Sequence, residues 1–328
     1  MKFPVSVLDL SPVGAGGVPS QAVRESVELA VVADHLGFTR YWFAEHHNMA
    51  SIATSAPEVL IAAAGARTQR IRLGAGGIMV PNHAPLHVVE MFRTLEALYP
   101  GRIDLGLGRA PGTDPVTSAA LRRADTDVNS LLGELLAFED ARFPERHPFA
   151  KVVPMPADVR CGELWMLGST LEGATIGAHL GVHYAFAGHF AMRQAKDAIA
   201  HYKRLFEPSP RLAAPYAMCA VTVICGETDD DAHRLAAPVR IAIVNSRTGR
   251  RAPVPSIEEA LATELTPDER AIADDFFTGA IIGGPALVRD RLLALHRDLG
   301  ADELMVSSLV PGAATRIAAL ERIAAAVA

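Results

Sequence analysis

Ile71-Arg72-Leu73-Gly74-Ala75-Gly76-Gly77-Ile78-Met79-Val80-Pro81-Asn82-His83-Ala84-Pro85 opens the unit on which the fold reading rests. An apolar run of strand length ends at Pro81, and from Pro85 onward Val88, Val89, Phe92, Leu95 and Leu98 recur at the spacing of a buried helix face. Proline suits the first turn of a helix, where its missing N–H has no partner to lose, and Pro100 with Gly101 stop the helix. A second apolar run, Ile103 to Gly108, follows at once. Strand, helix and strand in close succession make a βαβ unit, which calls for a parallel sheet.

The same alternation extends in both directions. Strand-length runs are Phe3 to Leu10, Arg40 to Ala44, Ile71 to Val80, Ile103 to Gly108, Leu164 to Gly168, Val182 to Ala187, Tyr216 to Cys225 and Glu303 to Leu309. Eight βα units are what closing a (βα)8 TIM barrel of the α/β class requires, and residues 1–328 read as one such domain. Between the runs, Ser20 is the expected N-cap of a helix carrying Val23, Val27, Ala30 and Val31 on one face, with Gly37 ending it. Pro57 and Pro285 open further helices, and Gly300 closes the last of these. Two connections exceed barrel geometry: about 110–162, with a helix around Leu131 to Phe138, and about 245–284. Both are expected as lids on the side where the βα loops lie, plain insertion being the alternative.

Half of the residues are hydrophobic, enough for a sizeable core. A net charge of -6 with scattered Lys and Arg gives no basic field for nucleic acid. The three cysteines, Cys161, Cys219 and Cys225, have neither metal-ligand spacing nor a pairing number, which fits a reducing cytoplasm. No run approaches the roughly 20 apolar residues of a membrane span, and the opening run, broken at Pro4, Ser6 and Asp9, predicts a strand in place of a signal-peptide core. A soluble, cytoplasmic protein is expected.

Four clusters fall at strand ends. Glu45, His46 and His47 follow the second strand, where an imidazole can act as base or hydrogen-bond donor; a metal reading lacks the usual histidine spacing, and a simple strand cap is the plain alternative. The glycines at 74, 76 and 77 let a flat ligand approach the backbone or form a bulge at a barrel corner. Gly106-Leu107-Gly108-Arg109 superficially suggests a dinucleotide fingerprint, but Pro111 stands where the helix should begin; Arg109 is better read as a phosphate partner or a plain surface arginine. Gly168-Ser169-Thr170 turns from a strand into a helix start that can cradle phosphate or simply cap the helix.

In this order, and over nearly the whole chain, the clusters resemble the bacterial-luciferase-like flavin monooxygenases. The most specific pieces are Trp42 to His47, Leu73 to Pro85, Gly101 to Arg109 and Gly300 to Val306. The resemblance implies that His46 is the active-site histidine and that Gly76-Gly77 is a non-prolyl cis peptide lying against the flavin. It also implies that Arg109, Gly168 and Ser169 bind its phosphate. It further implies FMN, delivered reduced by a separate flavin reductase, reacting with O2 through a C4a-peroxyflavin to oxygenate a small organic substrate. A homodimer is expected, partly from the apolar surplus of the helix from Pro85 to Leu98. Gly108 and Gly168 replace a cysteine and a glutamate of true luciferase, so light emission on a long-chain aldehyde is not implied. Three rival readings remain: an F420-dependent oxidoreductase on the same barrel, a noncatalytic flavin-binding protein, and a metal-dependent hydrolase built on Glu45, His46 and His47.

Overall fold

The computed structural model describes residues 1–121 and 127–328. Nine strands occur among them: β1 Val5–Asp9, β2 Arg40–Phe43, β3 Arg72–Met79, β4 Ile103–Gly108, β5 Glu163–Gly168, β6 His183–Phe186, β7 Ala217–Cys225, β8 Ile281–Gly283 and β9 Glu303–Ser307. β1 to β7 and β9 pair in parallel, each with its neighbour; β6 joins β7 at Tyr184↔Ala217, and β9 joins β1 at Val7↔Val306, so the sheet closes into a ring. These are the eight runs expected from the sequence, matched or shortened by up to a few residues, except that β5 starts one residue earlier, at Glu163. β8 was not expected. Three residues long, it extends the far end of β7 through Val223↔Ile281, and so short a run carries no periodicity to read.

Side chains alternate across the strands and build two cores. Outward, Val7, Tyr41, Leu73, Leu105, Met166 and Tyr184 pack against helix residues such as Leu29, Ile61, Phe92 and Leu292. Inward, Leu8, Trp42, Trp165, Met218 and Met305 fill the barrel. Trp42 and Trp165 stand on β2 and β5, three strands apart, yet their rings meet edge-on at 5.2 Å, which only a contact across the interior permits. Below them, at the amino ends of the strands, Arg40 donates to Asp104 at 2.9 Å, Glu163 at 2.8 Å and Glu303 at 3.1 Å. The barrel is thus plugged by aromatic rings and floored by charge.

The helices follow the punctuation of the sequence with one correction. The first spans Pro19–Leu36, with Gly37 left-handed at φ 80°, but Pro19 takes the first helical position and Val18 is the N-cap, so Ser20 lies inside and caps nothing. Helices Pro57–Gly65, Pro85–Leu98 and Pro285–Leu299 begin at their prolines.

The two insertions differ. In the first, helix Val128–Asp140 packs along Pro85–Leu98, where Arg93 Nε donates to Glu139 Oε2 at 3.0 Å. The apolar surplus of Pro85–Leu98 is therefore partly covered by its own chain, and the dimer expectation leans on family resemblance. Residues 122–126 of this insertion lie outside the described residues. In the second, helix Asp229–Arg247 runs two residues past the expected boundary, and helices Ile257–Ala262 and Pro267–Phe277 each start with a reciprocal capping box, at Ser256/Glu259 and Thr266/Glu269. This segment is ordered by its own caps.

Candidate functional site

A cavity of about 1030 Å3 lies at the carboxyl ends of the strands. Its lining includes Leu10 after β1, His46 after β2, Ser169 after β5, His189 after β6, Thr222 on β7 and Ser307 on β9. Ile243, Phe276 and the segment Gly249 to Ala252 cover it, so the second insertion is a roof over the mouth. Of the first insertion's described residues, only Gly112, Thr113, Asp114 and Val116 reach the lining, and the rest lies beside the barrel. Sites for small molecules run to roughly 300–1,000 Å3, so the space suits a large planar ligand together with a smaller one.

Glu45 organises one wall. Its carboxylate is fully buried and accepts from Met79 N–H at 2.8 Å, Asn82 Nδ2 at 3.1 Å and His83 Nε2 at 3.0 Å, and it meets His47 Nε2 at 2.9 Å. Burial alone would raise its pKa, but the bonds from His83, His47 and Met79 hold it below the usual carboxylate range. Glu45 is thus a peg fastening the β2 loop to the β3 loop. No cluster of three or more His, Cys, Asp or Glu side chains that could hold a metal ion occurs among the described residues.

His46 has a different environment. Its Nδ1 is buried and has no protein partner, and burial pulls its pKa down to about 4, opposed by Glu45 and assisted by His47. His189 matches it: Nδ1 is also buried and unpartnered, and burial, then the neighbouring His46, lowers its pKa to about 4. Buried polar atoms normally find partners, and these two imidazole nitrogens, on residues that line one cavity, have none among the described residues. Both rings are neutral near pH 7, and a neutral imidazole can accept a proton or donate one.

Across the mouth, Arg109 follows β4 and Ser169 follows β5. Arg109 lies against the turn that Ser169 begins: a Cβ added at Gly173 would stand 3.7 Å from Arg109 Nη2. Arg109 Nη1 pairs with the exposed Glu172 at 3.0 Å. The helix that starts here, Leu171–His179, has Thr170 as N-cap with no side-chain bond to its first amides, so those donors stay free. At β3, the Gly76-Gly77 peptide is cis and the pairing with β4 shifts register between Ala75 and Ile78. The bulge alternative therefore holds here whether or not a ring lies on it. Gly106 has a packing reason of its own, because a Cβ there would stand 2.2 Å from Ala75 O.

Of the six expected site residues, His46 and Ser169 line the cavity, with Arg109 and Gly168 in the turn next to Ser169. Gly76 and Gly77 lie on β3 outside the lining. The sequence reading assigned no role to His189. A signal was available: Gly188-His189-Phe190 follows a strand directly, as His46 and Ser169 do.

The family model described as luciferase-like monooxygenase matches residues 3–303. A relative from Escherichia coli (strain K12), named luciferase-like monooxygenase, is 40% identical over 309 residues, 93% of this chain and 91% of its own. The crystal structure of apo-MsnO8 superposes with a TM-score of 0.90 at 35% identity, covering 99% and 97% of the two chains. More remote likenesses show the fold alone. One is the oxygenating constituent of 3,6-diketocamphane monooxygenase from Pseudomonas putida in complex with FMN, with a TM-score of 0.72 at 19% identity, covering 99% and 97%. Another is an F420-dependent secondary alcohol dehydrogenase, with a TM-score of 0.68 at 14% identity, covering all of both chains.

Proposed function

The chain belongs to the luciferase-like monooxygenases and is a flavin-dependent oxidoreductase, and we propose that its cofactor is FMN, reduced by a separate reductase and used with O2 to oxygenate a small organic substrate. The observation that carries this reading is one cavity lined by His46, His189 and Ser169 at the strand ends, with the Arg109 turn beside Ser169 and both imidazole Nδ1 atoms buried without a partner among the described residues. When bound, reduced FMN supplies the two electrons that activate O2, so that one oxygen atom goes to the substrate and the other leaves as water.

The chain's own residues account for the rest. Arg109, the Ser169 hydroxyl and the free amides after Thr170 would hold the phosphate, the guanidinium exchanging Glu172 for it. Gly76 and Gly77 would present main chain to the ring. His46, neutral at working pH, holds or moves a proton at its open nitrogen, and His189 faces the same space. The roof of Ile243 and Phe276 covers part of the mouth with apolar surface, which would limit the access of water to an oxygen-transferring site. A homodimer belongs to the same proposal, read by light scattering at twice the chain mass.

Titration of the purified protein with FMN, riboflavin and F420 separates the cofactors. FMN is expected to bind, and Arg109→Gln to weaken it by roughly tenfold or more, the ~1.5–3 kcal/mol of a charge-assisted hydrogen bond, with riboflavin unaffected. His46→Ala is expected to keep FMN affinity within a few-fold but to lose about 10²-fold or more of coupled oxygenation, the low end for acid–base groups. Tight binding of F420 without FMN overturns the cofactor, and an unchanged product yield in His46→Ala overturns the histidine's role.

A further inference from the structure

The cavity carries a second cationic group that cofactor binding leaves unused. Along helix Asp229–Arg247, Val239, Ile243 and Arg247 recur every fourth residue and all line the cavity, so they share one helix face. Arg250 and Arg251 follow on the loop and line it too. Among the described lining residues the sole carboxylate is Asp114, and its acceptor capacity is already taken up. It receives Val116 N–H at 3.0 Å, Thr117 N–H at 3.0 Å, Thr117 Oγ1 at 2.6 Å and Asn48 Nδ2 at 3.0 Å. In a chain of net charge -6, three arginines facing one committed carboxylate make a locally positive rim.

The three arginines are not equally engaged. Arg250 pairs with Glu269 at 2.5 Å. Arg251 donates to the Oδ1 and the carbonyl of Asn48, neutral acceptors that position its guanidinium without cancelling its charge. Asn48 is itself held by Asp114 and by Thr117 Oγ1 at 2.8 Å, so Arg251 rests on a built support. Arg247 forms no ion pair among the described residues. Arg247 and Arg251 therefore line the cavity without an ion pair among the described residues, the lining carboxylate Asp114 being joined to Arg251 only through Asn48.

Their position separates them from the phosphate turn. Arg251 reaches the loop after β2, and Val254 bonds back to Val13 after β1, which places the rim over the β1–β2 edge. Ser169 follows β5, and β1 and β5 stand opposite each other in an eight-membered ring. A phosphate seated at Ser169 leaves the rim free for a second anion. The wall beside it is apolar, with Ile243, Val239 and Phe276.

We propose that Arg247 and Arg251 form a subsite for the anionic head of an amphiphilic substrate, a carboxylate or sulfonate on an apolar body that lies along Val239 and Ile243 toward His46. The inference rests on the flavoenzyme reading for calling this ligand a substrate. Guanidinium matches such heads with paired N–H donors, and both arginines stand exposed at the rim where an incoming head would meet them.

The test is calorimetric binding of octanoate, octane-1-sulfonate and octan-1-ol to the FMN-loaded protein, to the protein without FMN, and to the variant Arg247→Gln/Arg251→Gln. Either anion is expected to bind at least tenfold more tightly than the alcohol, the tighter one identifying the head. The double variant is expected to abolish that preference while binding the alcohol and FMN as wild type does, and added salt is expected to weaken the anions alone. Equal affinity for anions and alcohol overturns the subsite. So does a double variant that loses FMN as Arg109→Gln does, since the rim then serves the phosphate. Failure of the cofactor reading looks different: wild type then binds no FMN yet keeps its preference for the anions.

Discussion

The two ends of this barrel are lined by equivalent inward-facing positions and are built on opposite electrostatic rules. At the amino ends of the strands, charge is buried and consumed. Arg40 reaches three carboxylates, Arg72 Nη2 meets Asp104 at 2.6 Å, Trp42 Nε1 donates to Asp104 at 2.9 Å, and Tyr216 donates to Glu303 at 2.9 Å. Arg40 also stacks over Trp165 at 4.6 Å. At the carboxyl ends, His46 and His189 keep buried nitrogens without protein partners, and rim arginines stay short of counter-charge. Between the two, Trp165 Nε1 is the one open donor of the plug. A closed network has nothing left to offer a ligand, whereas an open one is costly unless a ligand or water completes it. The contrast separates an end whose polar groups satisfy one another from an end where some are left without a protein partner among the described residues.

The contrast can be broken most severely at the bottom. Arg40→Met leaves Asp104 and Glu303 buried without their shared cation, and breaking a buried ion pair from one side costs about 3–5 kcal/mol. Urea unfolding should show a loss of that size, and a midpoint near wild type would mean the floor is not held by this network.

At the top the expected effect is a pH dependence. Both histidines have pKa values lowered to about 4 from an ordinary 6.5, so between those values the unfolded chain binds protons that the folded one refuses. Stability from these two groups is complete above pH 6.5 and is lost as pH falls toward 4. Melting temperatures from pH 7.5 to 4.5 should drop less steeply in His46→Ala and His189→Ala than in wild type; parallel curves for all three proteins would contradict the open-nitrogen description.

The smallest expected effect sharpens the comparison at the roof alone. Ser256→Ala removes half of the capping box on Ile257–Ala262, worth about 1 kcal/mol. Amide exchange should quicken in that helix and leave the floor strands unchanged. Equal acceleration at both ends would show that roof and floor open as one unit.

Much of this was legible in residue order. Eight apolar runs, helix starts at Pro57, Pro85 and Pro285, and left-handed stops at Gly37 and Gly300 are local features, set by side-chain period and backbone sterics within a few residues. Local chemistry also placed His46, Arg109 and Ser169 at strand ends. Ser20 was misread because Pro19 competes for the helix start, and β8 escaped because three residues carry no pattern.

Residue order alone determined most of the strand and helix repertoire, the parallel barrel and the strand-end polar residues, because each follows from short-range period and conformational preference. Only the tertiary structure decided that Glu45 serves as a peg, that His189 joins His46, that the second insertion roofs the mouth while most of the first lies beside it, and that the rim arginines line the same cavity as Ser169 from the β1–β2 edge. Those outcomes depend on which distant side chains meet across a closed ring, and long-range contacts leave no trace in local spacing.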